Sequence, residues 1–322
     1  MGVLITGVAG FIGSQLAARL LAAGETVAGI DNFDAYYDPA VKRARLHALT
    51  SAAQPGQFRF FEADVRSPEA LQEAFSALPV RAVAHLAAMS GVRYSAERGP
   101  LYAAVNVLGS VNMMEAARQA GVGVFLQAST SNVYGASAVV PFREDDPAVE
   151  PLAPYPASKR AAELFARSYH HLHGMNITVL RFFNVYGPQG RPDMMPIRVL
   201  DALMSGQPIP AYGGGELQRD WTYIDDVIDG VLAALERPLG YQIINLGCGA
   251  PLSLLAFIHI YERLTGRSAR IETAPMPLTE VPITYCDNTR ARELLGFAPR
   301  IGIEDGLART WAWYAQAQAA GG

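Results

Sequence analysis

Lysine is almost missing from this chain. Of its 26 basic residues only Lys42 and Lys159 are lysines, which leaves 24 arginines. Cysteine is as scarce: Cys248 and Cys286 stand far apart, with no CxxC spacing. That excludes a disulfide framework and a zinc knuckle, and a reducing cytoplasm fits best. Charged residues make up 17% of the chain and the net charge is −4, so no basic face is expected for nucleic acid. No apolar run reaches the roughly 18 residues of a membrane span, so no membrane partner is expected either. A glycine-rich turn opens at Gly7, which on this reading leaves no room for a signal peptide. Met1-Gly2-Val3-Leu4-Ile5-Thr6 fits the loose N-myristoylation pattern. Val3 to Ile5 run straight into the glycine turn, however, and read better as a buried first strand. What the chain has is apolar residues, half of its 322. That excludes disorder and allows a sizeable core, with about two domains by length.

The first half alternates strands and helices. Val3 to Thr6 is a short apolar run, as a strand buried on both faces requires. Gly7, Gly10 and Gly13 follow in GxxGxxG spacing, then a helix from Phe11 to Ala23 closed by Gly24. Thr26 to Ile30 is the next strand, with Asp31 at its end. This strand-turn-helix-strand-acid order is what a dinucleotide needs. The glycines let backbone approach the pyrophosphate, and Phe11, Ile12 and Gly13 present the N–H groups of a helix start. Asp31 can accept from the ribose hydroxyls and would repel a 2′-phosphate, which favours NAD over NADP. Further strands are predicted at 58–61, 82–86 and 124–128, and a helix at 103–120. The fold class is α/β, a doubly wound parallel sheet. Ligands bind beyond strand C-termini in such sheets. Asn32, Asp64, Val65, Leu86, Ala87 and Ala88 fall at or beside those ends and join the cofactor-side candidates, with Asn106 from the helix.

The chemistry centres on Tyr155-Pro156-Ala157-Ser158-Lys159, at the start of a helix running to about His173. Residues four apart share a helix face. A phenol with a pKa near 10 needs roughly 4 kcal/mol of help to act as a base near neutrality. A neighbouring ammonium and an oxidised nicotinamide could supply it, and Lys159 can also bond the nicotinamide ribose. One hydroxyl of Ser129-Thr130-Ser131, at the end of the preceding strand, could share a proton with the substrate oxygen; Ser129 and Thr130 are the catalytic candidates.

Thr6-Gly7-x-x-Gly10-x-x-Gly13 with Tyr155-x-x-x-Lys159 resembles the extended short-chain dehydrogenase/reductase superfamily over the whole chain. More narrowly the chain is similar to nucleotide-sugar epimerases. Asp31-Asn32-Phe33, Tyr36-Tyr37-Asp38-Pro39, Lys42-Arg43-Ala44-Arg45, Ser90-Gly91-Val92-Arg93-Tyr94-Ser95 and Gly190-Arg191-Pro192-Asp193-Met194 resemble the UDP-glucuronate 4-epimerases. The resemblance implies a UDP-sugar substrate, a bound NAD that is not consumed, and a homodimer through the helices at 103–120 and 155–173. It implies that Tyr155 takes the proton of the sugar 4-hydroxyl, that a 4-keto sugar turns about its diphosphate, and that reduction occurs on the other face.

Sister families diverge after the same oxidation. By resemblance, 4,6-dehydratases carry Asp-Glu, and UDP-glucuronate decarboxylases Ser-Glu, where this chain has Ser131-Asn132. An amide cannot donate and recover a proton as a carboxyl does, which counts against both sister reactions. Asn184 stands where many glucuronate 4-epimerases have Thr, and an Asn there is more typical of epimerases of neutral UDP-hexoses, the alternative function. Ser90, Arg93, Ser131, Asn132, Asn184, Arg191 and Arg219 are the substrate-side candidates. Arg191 and Arg219 are forks suited to phosphate or carboxylate, or else solvated surface charges. Tyr212 is either a partner that stacks on the uracil or a core aromatic. Thr279-Glu280-Val281-Pro282 replaces the family's usual Gly-Asp-Val-Pro. His170, His171 and His173 have no acid or Cys nearby to complete a metal set, so no metal is expected. Arg290-Ala291-Arg292 is expected at a helix start facing solvent.

Beyond Asn184 the pattern becomes irregular. Helices are predicted at 196–205, 225–236, 252–266 and 303–318, and strands at 221–224 and 241–246. The expected division is a dinucleotide-binding domain of 1–183 plus about 219–246. A smaller α/β substrate lobe would comprise 184–218 plus about 247–322, with the sugar nucleotide in the cleft between them. Lys42 is left without a role, near the cofactor side of that cleft.

Overall fold

A computed structural model describes residues 2–137 and 139–321, with side chains to 319. Met1, the start of the myristoylation pattern, lies outside the described residues. The first strands and helices are β1 Gly2–Thr6, α1 Phe11–Ala22, β2 Val27–Asp31, α2 Pro39–Ala52, β3 Phe58–Glu62, α3 Pro68–Ser76 and β4 Val80–His85. Two single-turn helices follow, α4 Val92–Ser95 and α5 Gly99–Tyr102. Next come α6 Gly109–Gln119, β5 Val124–Thr130, α7 Pro154–His173, β6 Ile177–Phe182 and β7 Asn184–Tyr186. The remainder comprises α8 Met195–Ser205, β8 Ile209–Tyr212, β9 Gln218–Tyr223, α9 Ile224–Leu235, β10 Tyr241–Leu246 and β11 Pro251–Ser253. It closes with α10 Leu254–Thr265, β12 Ile271–Ala274, α11 Thr289–Leu295 and α12 Ile303–Gly321.

Seven strands form one parallel sheet in the order β10-β6-β5-β4-β1-β2-β3. The order reverses between β1 and β4, so a crevice opens beyond their C-terminal ends. Every residue of β1, β2, β5 and β6 is buried, which is why these runs are apolar rather than alternating. The strand predicted at 221–224 does not join this sheet. As β9 it pairs with β7 and β11 in a small three-stranded sheet, and β8 pairs with β12 in another. These short pairings link segments distant in sequence, and periodicity carries no signal for them.

Four helices, α2 to α5, were not expected from the sequence, and the two longer ones carry legible starts. Asp38 caps α2 by accepting from the Ala40 N–H at 2.8 Å, with Pro39 in the first turn. Ser67 caps α3 the same way through Ala70 N, with Pro68 following. Their interiors are only weakly apolar, which hid them. The predicted 103–120 helix is real but starts with a wide π-helical stretch, Ala103–Leu108. One apolar cluster runs from Val3, Ile5 and Leu16 beneath the main sheet to Leu200, Phe257 and Tyr261. The sheet and the later helices therefore hold the crevice open from both sides on a shared core.

Candidate active site

The glycine turn sits at the switch point. Gly7 has φ +70°, a left-handed conformation that side chains disfavour, and its N–H bonds Ile30 O at 2.8 Å. A Cβ on Gly13 would lie 2.1 Å from the Gly7 carbonyl oxygen, so only glycine lets α1 pack this closely on the turn. No side chain caps α1. Its first N–H groups are left for a ligand in the cleft that Gly7, Gly10, Phe11, Ile12 and Gly13 line. This cleft measures about 900 Å³ and runs along the C-terminal ends of the strands.

Asp31 is buried at the end of β2. Its two carboxylate oxygens accept from Ala9 N–H at 3.1 Å and Phe33 N–H at 2.9 Å. Burial pushes its pKa up, and the Phe33 N–H, Lys42 and the Ala9 N–H oppose that rise. Lys42 reaches the same end of the cleft from α2, donating to the Asp34 carbonyl at 2.8 Å and lying 4.8 Å from the Tyr37 ring centre. Asp64 also lines the cleft, but its carboxylate is engaged by Arg66 at 2.8 and 2.9 Å and by Asn32 at 2.9 Å. The Arg66 bonds hold it down to about 2. Val65, Leu86, Ala87 and Ala88 form apolar wall.

Two expected residues are placed differently. Asn106 is not on the cleft wall. The wide helical turn carries its amide inward, where it holds Met89 N–H and C=O and the Ser158 hydroxyl, each at 2.9 Å. It fixes the strand end and α7 rather than facing a cofactor. Ser129 lines the cleft, but its hydroxyl proton is committed to Glu163 Oε1 at 2.5 Å.

Thr130 lines the cleft together with Tyr155. Its oxygen accepts from the Asn132 side-chain amide at 2.9 Å, which leaves its own proton free to donate. Burial pushes the Tyr155 pKa up, while the Thr130 bond and then the Arg191 charge pull it down. The sequence argument had assigned that pull to Lys159. Lys159 sits one turn deeper on α7, 2% exposed, and burial lowers its own pKa to about 8. Tyr102 was unforeseen. Its ring meets that of Tyr155 edge-on at 6.1 Å, and its hydroxyl bonds the Ser90 and Gly91 carbonyls. His85, fully buried at the end of β4, lies behind the cleft wall. Ser110 donates to the Asn106 carbonyl and so accepts from His85 Nε2, which leaves Nδ1 of the neutral ring to accept from the Thr6 hydroxyl. Burial lowers its pKa to about 3, so it stays neutral at working pH.

The substrate-side candidates line the other half of the cleft. Arg191 forms a fork on Asp193 at 2.9 and 2.7 Å and donates to Ser90 at 2.7 Å. Glu280 bridges Arg93, at 2.8 Å, and Arg219, at 2.6 Å. Neither Arg191 nor Arg219 is a solvated surface charge. The Arg93 guanidinium lies 4.5 Å over the Tyr212 ring, which places Tyr212 on the cleft wall rather than in the core. Ser131, Asn132 and Asn184 complete that wall. Arg45 was missed: it ties α2 to the carbonyls of Ala9 and Gln189, joining the glycine turn to the Arg191 loop. Arg290 and Arg292 are not simply solvated, since they bond Ile243 O and Asn288 Oδ1. Among the described residues no group of three or more His, Cys, Asp or Glu is placed to hold a metal.

The glycine turn, Tyr155 and Lys159 all fall within the span of a known family model. The model of the NAD dependent epimerase/dehydratase family matches residues 3–247. The chain belongs to that family. A relative from Thermodesulfobacterium geofontis, UDP-glucuronate 4-epimerase, is 42% identical over 96% of this chain and 95% of its own. The crystal structure of UDP-glucuronic acid 4-epimerase from Bacillus cereus, in complex with UDP-glucuronic acid and NAD, superposes with a TM-score of 0.91. It is 32% identical over 98% of this chain and 100% of its own. The dTDP-glucose 4,6-dehydratase DesIV from Streptomyces venezuelae reaches the same TM-score at 29% identity, over 99% of this chain and 98% of its own. Shape alone therefore does not separate the sister reactions.

The residues present fit NAD. The turn admits no side chain at Gly7 or Gly13, the α1 N-terminus is uncapped, and Asp31 offers carboxylate lone pairs where an adenosine ribose would lie.

Proposed function

We propose that this chain is a UDP-glucuronate 4-epimerase working with bound NAD, and that the Ser131-Asn132 pair carries the distinction from its sister enzymes. Both residues line the cleft beside Thr130 and Tyr155. A 4-keto glucuronate is a β-keto acid, prone to lose carbon dioxide. A hydroxyl and an amide can hold its carboxylate by hydrogen bonds without offering the proton traffic that a carboxylic acid would. Asn184 adds a second amide to that wall.

When bound, NAD supplies the acceptor and donor of the C4 hydride. Tyr155 takes the proton of the 4-hydroxyl and returns it after the keto sugar has turned. Thr130, on the same cleft wall, lowers the Tyr155 pKa and so favours the phenolate that must form. Arg191 and Arg219 hold the diphosphate about which the sugar turns, and Tyr212, under Arg93, offers a face to the uracil. Exposed Leu108, Leu164, Phe165 and Leu172 on and beside α6 and α7 support a homodimer through those helices. Both cysteines are free, which supports a cytoplasmic setting, and among the described residues no helix is long and apolar enough to cross a membrane.

The test is UDP-glucuronate without added NAD, read by NMR. UDP-galacturonate as the sole product is expected. A UDP-pentose product, or turnover of UDP-glucose alone, contradicts the proposal. Arg219→Ala should raise the KM for UDP-glucuronate about tenfold, from loss of one charge-assisted bond, and leave kcat within about threefold. Steady-state rates check this; an unchanged KM removes Arg219 from the diphosphate site.

A further inference from the structure

Glu163 lies on the same face of α7 as Tyr155 and Lys159, at the third step of an i, i+4, i+8 series. It is fully buried, and nothing in the chemistry above uses it. Its carboxylate accepts from Arg181 Nε at 3.0 Å and Nη2 at 2.7 Å, from Ser129 at 2.5 Å and from Arg160 at 3.0 Å. Arg181, from β6, is equally buried and lies 4.7 Å over the Tyr134 ring. The Tyr241 hydroxyl of β10 bonds the Glu163 backbone carbonyl at 3.1 Å. Across from these, His85 of β4 feels the Lys159 charge and stays neutral.

A buried ammonium with no counter-charge loses its proton. Lys159 has one acid to oppose its burial, Glu163. The two are more than 4.0 Å apart, because the carboxylate is already committed to Arg181, Ser129 and Arg160. The acid thus sustains the charge through a dry interior without capturing the ammonium, and all three Lys159 donors remain free for the cleft.

We infer that Glu163 is a positioning residue, held by Arg181 and Ser129, that keeps Lys159 charged with its donors turned to the cofactor and Tyr155. This rests on the hydride-transfer reading above for its purpose, but not for its test. The chain has two lysines, so ε-13C-lysine labelling yields two side-chain signals, assigned with Lys42→Arg. Titration of the wild-type protein should place Lys159 near pH 8. In Glu163→Gln the midpoint should fall by about one pH unit or more, since the amide carries no charge. The alkaline limb of the kcat profile should move down with it, and Glu163→Asp should restore both in part. A merely structural glutamate would lower stability and leave the midpoint in place. An unchanged midpoint in folded Glu163→Gln overturns the inference. If that variant does not fold, Glu163→Asp decides: it keeps the charge but draws the carboxylate back by one methylene, so the midpoint should lie below that of wild type, and an unchanged midpoint overturns the inference. The titration needs no substrate. Failure of wild-type protein to make UDP-galacturonate would refute the epimerase reading alone.

Discussion

Tyr155→Phe is expected to cut epimerisation by about 10³-fold or more while NAD remains bound. General acid–base catalysis contributes about 10²–10⁴-fold, and neither Thr130 nor His85 replaces this phenol. Thr130 lines the cleft with Tyr155 but is an alcohol, with no accessible anion near neutrality. His85 is neutral, and its ring nitrogens are both engaged, by Thr6 and Ser110. The substitution removes one oxygen and keeps the ring that packs edge-on against Tyr102, so folding and cofactor retention should survive. Product formation by NMR and NAD released by denaturation are the two measurements. Activity within tenfold of wild type would show that another residue moves the proton.

Arg181→Leu is expected to destabilise the protein by about 3 kcal/mol or more, measured by denaturant unfolding. Removing one member of a buried ion pair leaves the other charge in the interior, at a cost of about 3–5 kcal/mol. Here Glu163 would lose its two strongest-placed donors and keep Ser129 and Arg160. Arg181→Leu with Glu163→Leu should cost less than the single change, because no charge is stranded. A single variant as stable as wild type would mean that water or a rearranged Arg160 satisfies the carboxylate. The effect should be nearly independent of salt, since the pair is dry; surface pairs such as Arg263–Glu304 would be screened.

Much of this was legible from local pattern. Apolar runs buried on both faces fix β1, β2, β5 and β6, and GxxGxxG marks a turn that side chains cannot enter. The i, i+4 spacing put Tyr155 and Lys159 on one face. Local pattern failed where a residue's partner is far away. Ser129 and Thr130 are neighbours on one strand, and alternation sends their side chains to opposite sides. Which hydroxyl is committed depends on Glu163 of α7. Asn106 looked like a cofactor contact until the wide turn at Ala103–Leu108 took it inward. Glu163 was silent because a Glu in a helix is ordinarily solvated, and only Arg181, 18 residues on in a buried strand, makes it otherwise. Glu280 looked like a departure from a nucleotide motif, and the fold shows it bridging two cleft arginines.

The residue sequence alone determined the parallel sheet, the place of the dinucleotide turn, the family and the sharing of one helix face by Tyr155 and Lys159. Each of these is written in spacing along one strand, one turn or one helix. Folding was needed to decide which strand-end hydroxyl is committed to Glu163, what surrounds a buried lysine and which arginines enter the cleft. Those depend on electrostatics in a dry interior, where the deciding charge comes from another element and composition carries no trace of it. The two lysines show both halves. Sequence marked Lys159 by its distance from Tyr155, while Lys42 gained a location, on Asp34 and beside Asp31, only when α2 closed over the cofactor end of the cleft.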